Sequence, residues 1–267
     1  MRIPNIFLIF VVATGCGDDS AASTRVDERG CPDEPGALDL ATGDVCGALA
    51  IEVDAVEGHD ARGAALDTLA TQLGDLAGSG HFGKPDGISI VVDEEDIAPS
   101  TEADHAYTFA ELRELIDAHR SYARAEGEAA IHLLYVDGHF EDDTSQSRVL
   151  GFAYGHSRIV MFRASIDDGC EAALALVRDR VCNLAESTVL LHEVGHLLGL
   201  VDNGLPMVSD HKDEEHGAHD VDEDCIMYYL SETSQMIPLL IDNVTGGDES
   251  VTPFDDRCLE DLEAAQM

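Results

Sequence analysis

His192-Glu193-Val194-Gly195-His196 sets two histidines four residues apart, with a glutamate directly after the first. On a helix, residues at i and i+4 lie one above the other, so both imidazoles can reach a single metal ion. Glu193 projects about a hundred degrees round from His192, where it can meet a water beside the metal without being a ligand itself. Two imidazoles and one further ligand favour zinc and leave a fourth position for water, whose pKa falls to about 7 on a catalytic zinc ion. Glu193 then has the position of a general base, able to take the water's proton and pass it to a leaving amine.

The motif runs on as Leu197-Leu198-Gly199-Leu200-Val201-Asp202. Gly199 can take a positive φ, end the helix and turn the chain back towards the metal. With this extension the chain resembles the metzincin superfamily, whose third ligand follows that glycine and whose later methionine turn underlies the zinc. Cys225-Ile226-Met227-Tyr228-Tyr229 matches that turn, with Met227 as its methionine. On the usual metzincin spacing the third ligand is Asp202. His219, Asp220, four further residues, Cys225, Ile226 and Met227 resemble instead the ending of archaemetzincins, with Asp220 in place of the first cysteine. That alignment makes His219 the ligand and residues 200–218 an insertion. Predicted membrane-associated metalloproteases of Gram-negative bacteria look similar here. The resemblance favours His219, and zinc chemistry permits either residue. A carboxylate ligand would leave the site less positive than a third imidazole and acidify the water less. His211 and His216 are further candidates. Tyr229 stands two residues after Met227, the spacing at which astacins and serralysins carry a tyrosine that helps hold the oxyanion, so the resemblance implies a second catalytic group there.

The elements that must position this motif follow from hydrophobic periodicity. Residues 49–53, 87–92 and 130–136 read as strands. Between them, Leu66, Leu69, Leu73 and Leu76 recur at helical spacing, and Thr108 with Glu111 forms a capping box ahead of Phe109, Leu112, Leu115 and Ile116. Strand-helix-strand-helix-strand order implies a mainly parallel sheet. Residues 149–154 and 158–162, joined by Gly155-His156-Ser157, read as a hairpin that adds an antiparallel edge strand, and an open edge can align an extended peptide. Residues 171–181 are helical in character, and Asn183 with Glu186 reads as the start of a separate active-site helix through Leu198. Thr252-Pro253 reads as the start of a C-terminal helix with Cys258, Leu259 and Leu262. The expected class is thus α/β (α+β), a zincin-like mixed sheet. The resemblance covers residues 48–267, with specificity confined to 192–229.

The chain ahead of this domain reads as an export device. Arg2 precedes the apolar run 6–12, which is too short for a permanent membrane helix. Ala13-Thr14-Gly15-Cys16 resembles a bacterial lipobox, implying cleavage after residue 15 and lipidation of Cys16, with residues 16–47 as an acidic tether. The expected location is the bacterial cell envelope, facing the periplasm or the cell surface, with the lipid as the membrane's hold on a monomer. Six cysteines remain, an even set suited to an oxidising compartment, and the shortest loops pair Cys31 with Cys46, Cys170 with Cys182 and Cys225 with Cys258.

A formal charge of −39 repels polyanions and excludes nucleic acid as a partner. Such a surface tolerates calcium as a second ion beside one catalytic zinc. The leading expectation is hydrolysis of a peptide or protein substrate by a zinc metalloendopeptidase. The competing ones are a surface lipoprotein that binds metal without turnover, motivated by the acidic, histidine-bearing loop 210–224, and a cell-wall amidase.

Overall fold

The computed structural model describes residues 25–93, 97–102 and 104–267, so the signal segment 1–15 and Cys16 lie outside the described residues. The tether expected up to residue 47 gives way earlier to packed chain. Cys31 and Cys46 form a disulfide, and the short helix α1 (Ala37–Ala41) buries Leu40 and Ala41. All four residues belong to the main apolar core. Lys84 Nζ donates to the carbonyls of Asp39 (3.1 Å) and Cys46 (3.0 Å) and to that of Thr42. A cross-link and a buried ammonium thus order a segment too short for periodicity to reveal.

Strand β1 (Ala48–Ala55) leads into α2 (Gly63–Ser79), which buries Ala65, Leu69, Leu73 and Leu76. Strand β2 (Gly87–Val92) returns parallel to β1. After the two-residue strand β3 (Ala106–Tyr107), helix α3 (Phe109–His119) opens with the expected capping box: Thr108 Oγ1 accepts from the Glu111 amide at 3.2 Å, and the Glu111 carboxylate accepts from the Thr108 amide at 2.8 Å. Strand β4 (Glu128–Val136) lies parallel to β1 on its other side and is buried throughout. Strand β5 (His139–Phe140) pairs only with β3 among the described strands. The hairpin of β6 (Gly151–Tyr154) and β7 (Arg158–Phe162) completes a sheet ordered β2-β1-β4-β7-β6, parallel except for β6 at its edge. The mixed sheet with one antiparallel edge strand is the expected class.

The helical stretch after β7 differs from expectation. Helix α4 (Arg163–Cys170) precedes a looped 171–177, and α5 (Arg178–Leu197) is one unbroken helix through Asn183. Cys170 and Cys182 are bonded with Cα atoms 5.6 Å apart, whereas a helix rising 1.5 Å per residue would hold residues twelve apart at about 18 Å. The disulfide therefore forces the loop. Glu186 does not cap Asn183; its carboxylate accepts from the Arg62 amide (2.8 Å), at the start of α2, and from the Tyr135 hydroxyl (3.1 Å). The C-terminal region holds two helices, α6 (Ile237–Gly246), not foreseen, and α7 (Asp256–Ala265). The latter begins at Asp255, whose carboxylate accepts from the Cys258 amide at 2.9 Å, and not at Pro253.

Helix α5 packs against α2, α4, α6 and the hairpin strands, so nearly every side chain from Val181 to Leu197 is buried. This position, in the main core beside the sheet's antiparallel edge, brings the histidine motif next to β6. The opposite face of the sheet carries a smaller core under α3, with Leu112, Ile116, Leu134 and Phe162. Among the described residues no helix is long and apolar enough to cross a membrane.

Candidate metal centre

The last two turns of α5 present His192 and His196 on one face, with their Nε2 atoms 3.0 Å apart. The helix then ends in a Schellman arrangement: the Gly199 amide donates to the His196 carbonyl (3.0 Å) and the Leu200 amide to that of Gly195 (3.2 Å). Gly199 has φ +82°, and a Cβ there would lie 2.6 Å from the Cβ of Ala37 and 2.9 Å from the Leu205 amide nitrogen, so glycine is required twice over. Asn203 closes the turn by donating to the His196 carbonyl at 2.9 Å.

Asp202 and His219 part company at this point. Val201 and Asp202 both hold positive φ, and Asp202 extends to the surface, where its carboxylate meets Lys212 Nζ at 3.1 Å. His219 returns from the intervening loop to the metal-facing side of α5, its ring centroid 5.1 Å from that of His192 and 4.9 Å from that of His196. The segment that carries it is bracketed on both sides: Asp220 bridges to Lys212 and to Tyr228, and its amide donates to the Met227 carbonyl at 2.9 Å. Among the described residues, His192, His196, His219 and Glu232 form a cluster whose ligand atoms all lie within 4.8 Å of one another. Glu232 ends a 3-10 turn (Tyr229–Glu232) just past the methionine turn.

The donor set suits zinc. His192 Nδ1 donates to the Ile226 carbonyl (2.7 Å) and His219 Nδ1 to the His216 carbonyl (2.6 Å). A carbonyl only accepts, so each neutral ring carries its proton on Nδ1 and turns the Nε2 lone pair inward. Burial, and then the rings of His192 and His219, push His196 well below the usual histidine value, which keeps it neutral as a ligand must be. Burial lowers His219 too, but Glu232 outweighs it and leaves His219 raised. The same pairing works on Glu232, which burial would raise but which the imidazoles of His192 and His219 hold well below the ordinary carboxylate range.

Glu193 lies fully buried one position along the helix, and among the described residues neither of its carboxylate oxygens meets a donor in hydrogen-bonding geometry. Burial, reinforced by the charge of Glu232, holds it well above the usual carboxylate range, while the backbone of Ala153 on β6 pulls the other way. A buried carboxylate with one backbone group as its only approach is costly to keep, and it marks a group suited to handling a proton or a water.

Met227 packs against α5 at Gly195, between the two histidines of the motif. A Cβ on Gly195 would fall 2.3 Å from its Sδ and 2.9 Å from the ring of Phe254. Gly195→Ala is therefore expected to cost about 1–3 kcal/mol by overpacking, read as a lowered urea midpoint. An unchanged midpoint would mean that the methionine is free to retreat.

No family model matches the chain, and no curated protein does. Solved structures similar to it include the following three. An archaemetzincin from Methanopyrus kandleri is 16% identical, with 82% of this chain and 96% of that one covered and a TM-score of 0.47. A zinc-dependent peptidase from Methanocorpusculum labreanum is 15% identical, with 80% and 99% covered and a TM-score of 0.44. Metalloproteinase-II from Bacteroides fragilis is 14% identical with a TM-score of 0.45; 86% of this chain aligns, over 54% of that chain. These likenesses concern the course of the chain, while the chemistry rests on the side chains just described.

The other histidine candidates serve elsewhere. His211 is buried between Asp220 (Nδ1, 2.5 Å) and Asp261 (Nε2, 2.9 Å), and Arg257 also reaches Asp220 at 3.0 Å. His216 pairs with Asp213 at 2.6 Å and stacks flat on Tyr229, with ring centroids 3.7 Å apart. Tyr229 also shares a side-chain hydrogen bond with Tyr228, whose phenol burial and that bond raise. Cys225 and Cys258, expected as a third bridge, are free buried thiols with Sγ atoms 3.8 Å apart. Each has another partner: Cys225 Sγ accepts from the Met227 amide, and Cys258 Sγ faces Asp220. Among the described residues each group of three or more His, Cys, Asp or Glu side chains close enough to share an ion includes a histidine.

Proposed function

We propose that the chain is a zinc-dependent endopeptidase in which His192, His196 and His219 hold the metal and Glu193 is the general base. One observation carries this reading: three imidazoles converge in one cluster, and the next residue along the helix from His192 is a fully buried carboxylate approached by a single backbone group, that of Ala153. Zinc held there supplies a Lewis acid and lowers the pKa of a water towards neutrality. Glu193 accepts the proton of the attacking water and carries it to the leaving amine. Strand β6 pairs with β7 on one side only, and its Ala153 lies beside Glu193, so a peptide added along that edge would pass the base. Asp202, facing Lys212, is not needed as a ligand.

The test is cleavage of a mixed peptide library followed by mass spectrometry, before and after chelation and after zinc is restored. Cleavage lost to chelator and recovered with zinc supports the proposal. A zinc-loaded chain that cuts no peptide would favour the metal-binding lipoprotein, and cleavage confined to cell-wall cross-links would favour the amidase.

Tyr229 is assigned a supporting role, donating its hydroxyl to the tetrahedral intermediate. Tyr229→Phe keeps the stack on His216 and removes the hydroxyl together with its bond to Tyr228, so kcat is expected to fall by about 10²-fold with KM little changed. Unchanged kcat would leave the ring a packing role alone. Export is assigned from the signal segment and Cys16, with support from the two disulfides, which suit an oxidising compartment.

A further inference from the structure

Glu232 has no place in the chemistry above, yet no other carboxylate among the described residues joins the three imidazoles in their cluster. Its Oε2 lies 3.7 Å from His192 Nε2 and its Oε1 3.5 Å from His219 Nε2. Four donors at the 2.0–2.1 Å typical of zinc sit about 3.3 Å from one another at the corners of a tetrahedron. The 3.0 Å between the Nε2 atoms of His192 and His196 and the two carboxylate distances bracket that edge. Glu193 is outside the cluster, so the two glutamates differ in position as well as in sequence.

We infer that Glu232 is a fourth protein ligand of the metal, so that the resting site is closed by His192, His196, His219 and Glu232. The inference rests on the three-histidine site proposed above and adds its regulation. A catalytic zinc site needs an open position, whereas four protein ligands mark a closed one. Turnover therefore requires the Glu232 carboxylate to leave and water or a substrate carbonyl to replace it.

The backbone that delivers Glu232 is tied to the chain leading into β6. The Glu232 carbonyl accepts from the Leu150 amide (2.8 Å), Thr233 bridges to Val149, and the Ser234 amide donates to the Arg148 carbonyl (2.8 Å). The closing carboxylate thus hangs from the same edge along which a peptide would add. Occupation of that edge and release of Glu232 are mechanically adjacent.

The test uses the full chain loaded with zinc or with cobalt, the second for its coordination-sensitive visible spectrum. X-ray absorption at the zinc edge is expected to give three imidazole nitrogens and one carboxylate oxygen in the wild type. Glu232→Gln is expected to weaken zinc binding, in competition with a chromophoric chelator, by about tenfold or more and to shift the cobalt spectrum. Glu232→Asp keeps the charge but withdraws the carboxylate and should do likewise. Zinc affinity and spectra unchanged in both variants would overturn the inference. His196→Ala separates the two levels: loss of zinc there with no effect at Glu232 removes only the fourth ligand, and zinc retained there removes the three-histidine site itself.

Discussion

Glu193→Gln is expected to lower kcat for peptide cleavage by about 10²–10⁴-fold, the share that a positioned general base supplies, with zinc content and thermal midpoint unchanged. Glutamine has nearly the shape of glutamate, and its side-chain oxygen can still face the Ala153 backbone, so little structural is lost with the charge. An amide also removes a charge that burial and Glu232 both disfavour, so the variant should be as stable as the wild type or slightly more so. A kcat within about threefold of wild type, far inside that range, would transfer the proton to another group, and Glu232 is the next carboxylate at the site.

The largest expected effect on stability lies away from the metal. Both ring nitrogens of His211 face carboxylate oxygens, which only accept, so the ring is a doubly donating imidazolium. Burial disfavours that charge, but Asp220 and Asp261 outweigh burial and raise the pKa of His211 above its ordinary value. Removing the ring in His211→Ala strands two buried carboxylates, at a cost of about 3–5 kcal/mol. Arg257 still reaches Asp220, and the Val208 amide still donates to Asp261, which argues for the lower end. The pH dependence has a definite sign. A folded pKa above the unfolded one gives stability that is complete below about 6.5 and is lost as pH rises through the folded value. Urea midpoints of wild type and His211→Gln should therefore lie furthest apart near pH 6 and converge at alkaline pH. A gap that grew with pH would mean that the ring is neutral.

Much of this architecture is legible in the residues. The strands in 49–53, 87–92 and 130–136, the box at Thr108 and the hairpin around Gly155 carry local signals, and each appears in place. The helix expected at 171–181 appears only from Arg178 onwards, because local periodicity ahead of it competes with a cross-link. A Cys170–Cys182 bond and a helix between those residues exclude each other on length alone, a conflict that the spacing of the two cysteines already contains. The histidine pair is legible because i, i+4 spacing is itself a geometric statement. The choice between Asp202 and His219 is not, since it turns on consecutive left-handed residues at 201 and 202 that aim the carboxylate outward. Glu232 carries no spacing signal; its one mark is being the first acidic residue after Met227. Its role comes from pairing between 232–234 and 148–150, a contact between distant segments.

The most direct measurement is the zinc content of the purified chain beside those of His219→Ala and Asp202→Ala, all after dialysis against a weak chelator. One zinc per chain is expected in the wild type and in Asp202→Ala, and little in His219→Ala. A wild type free of zinc, or zinc kept by His219→Ala and lost by Asp202→Ala, would contradict the three-imidazole centre.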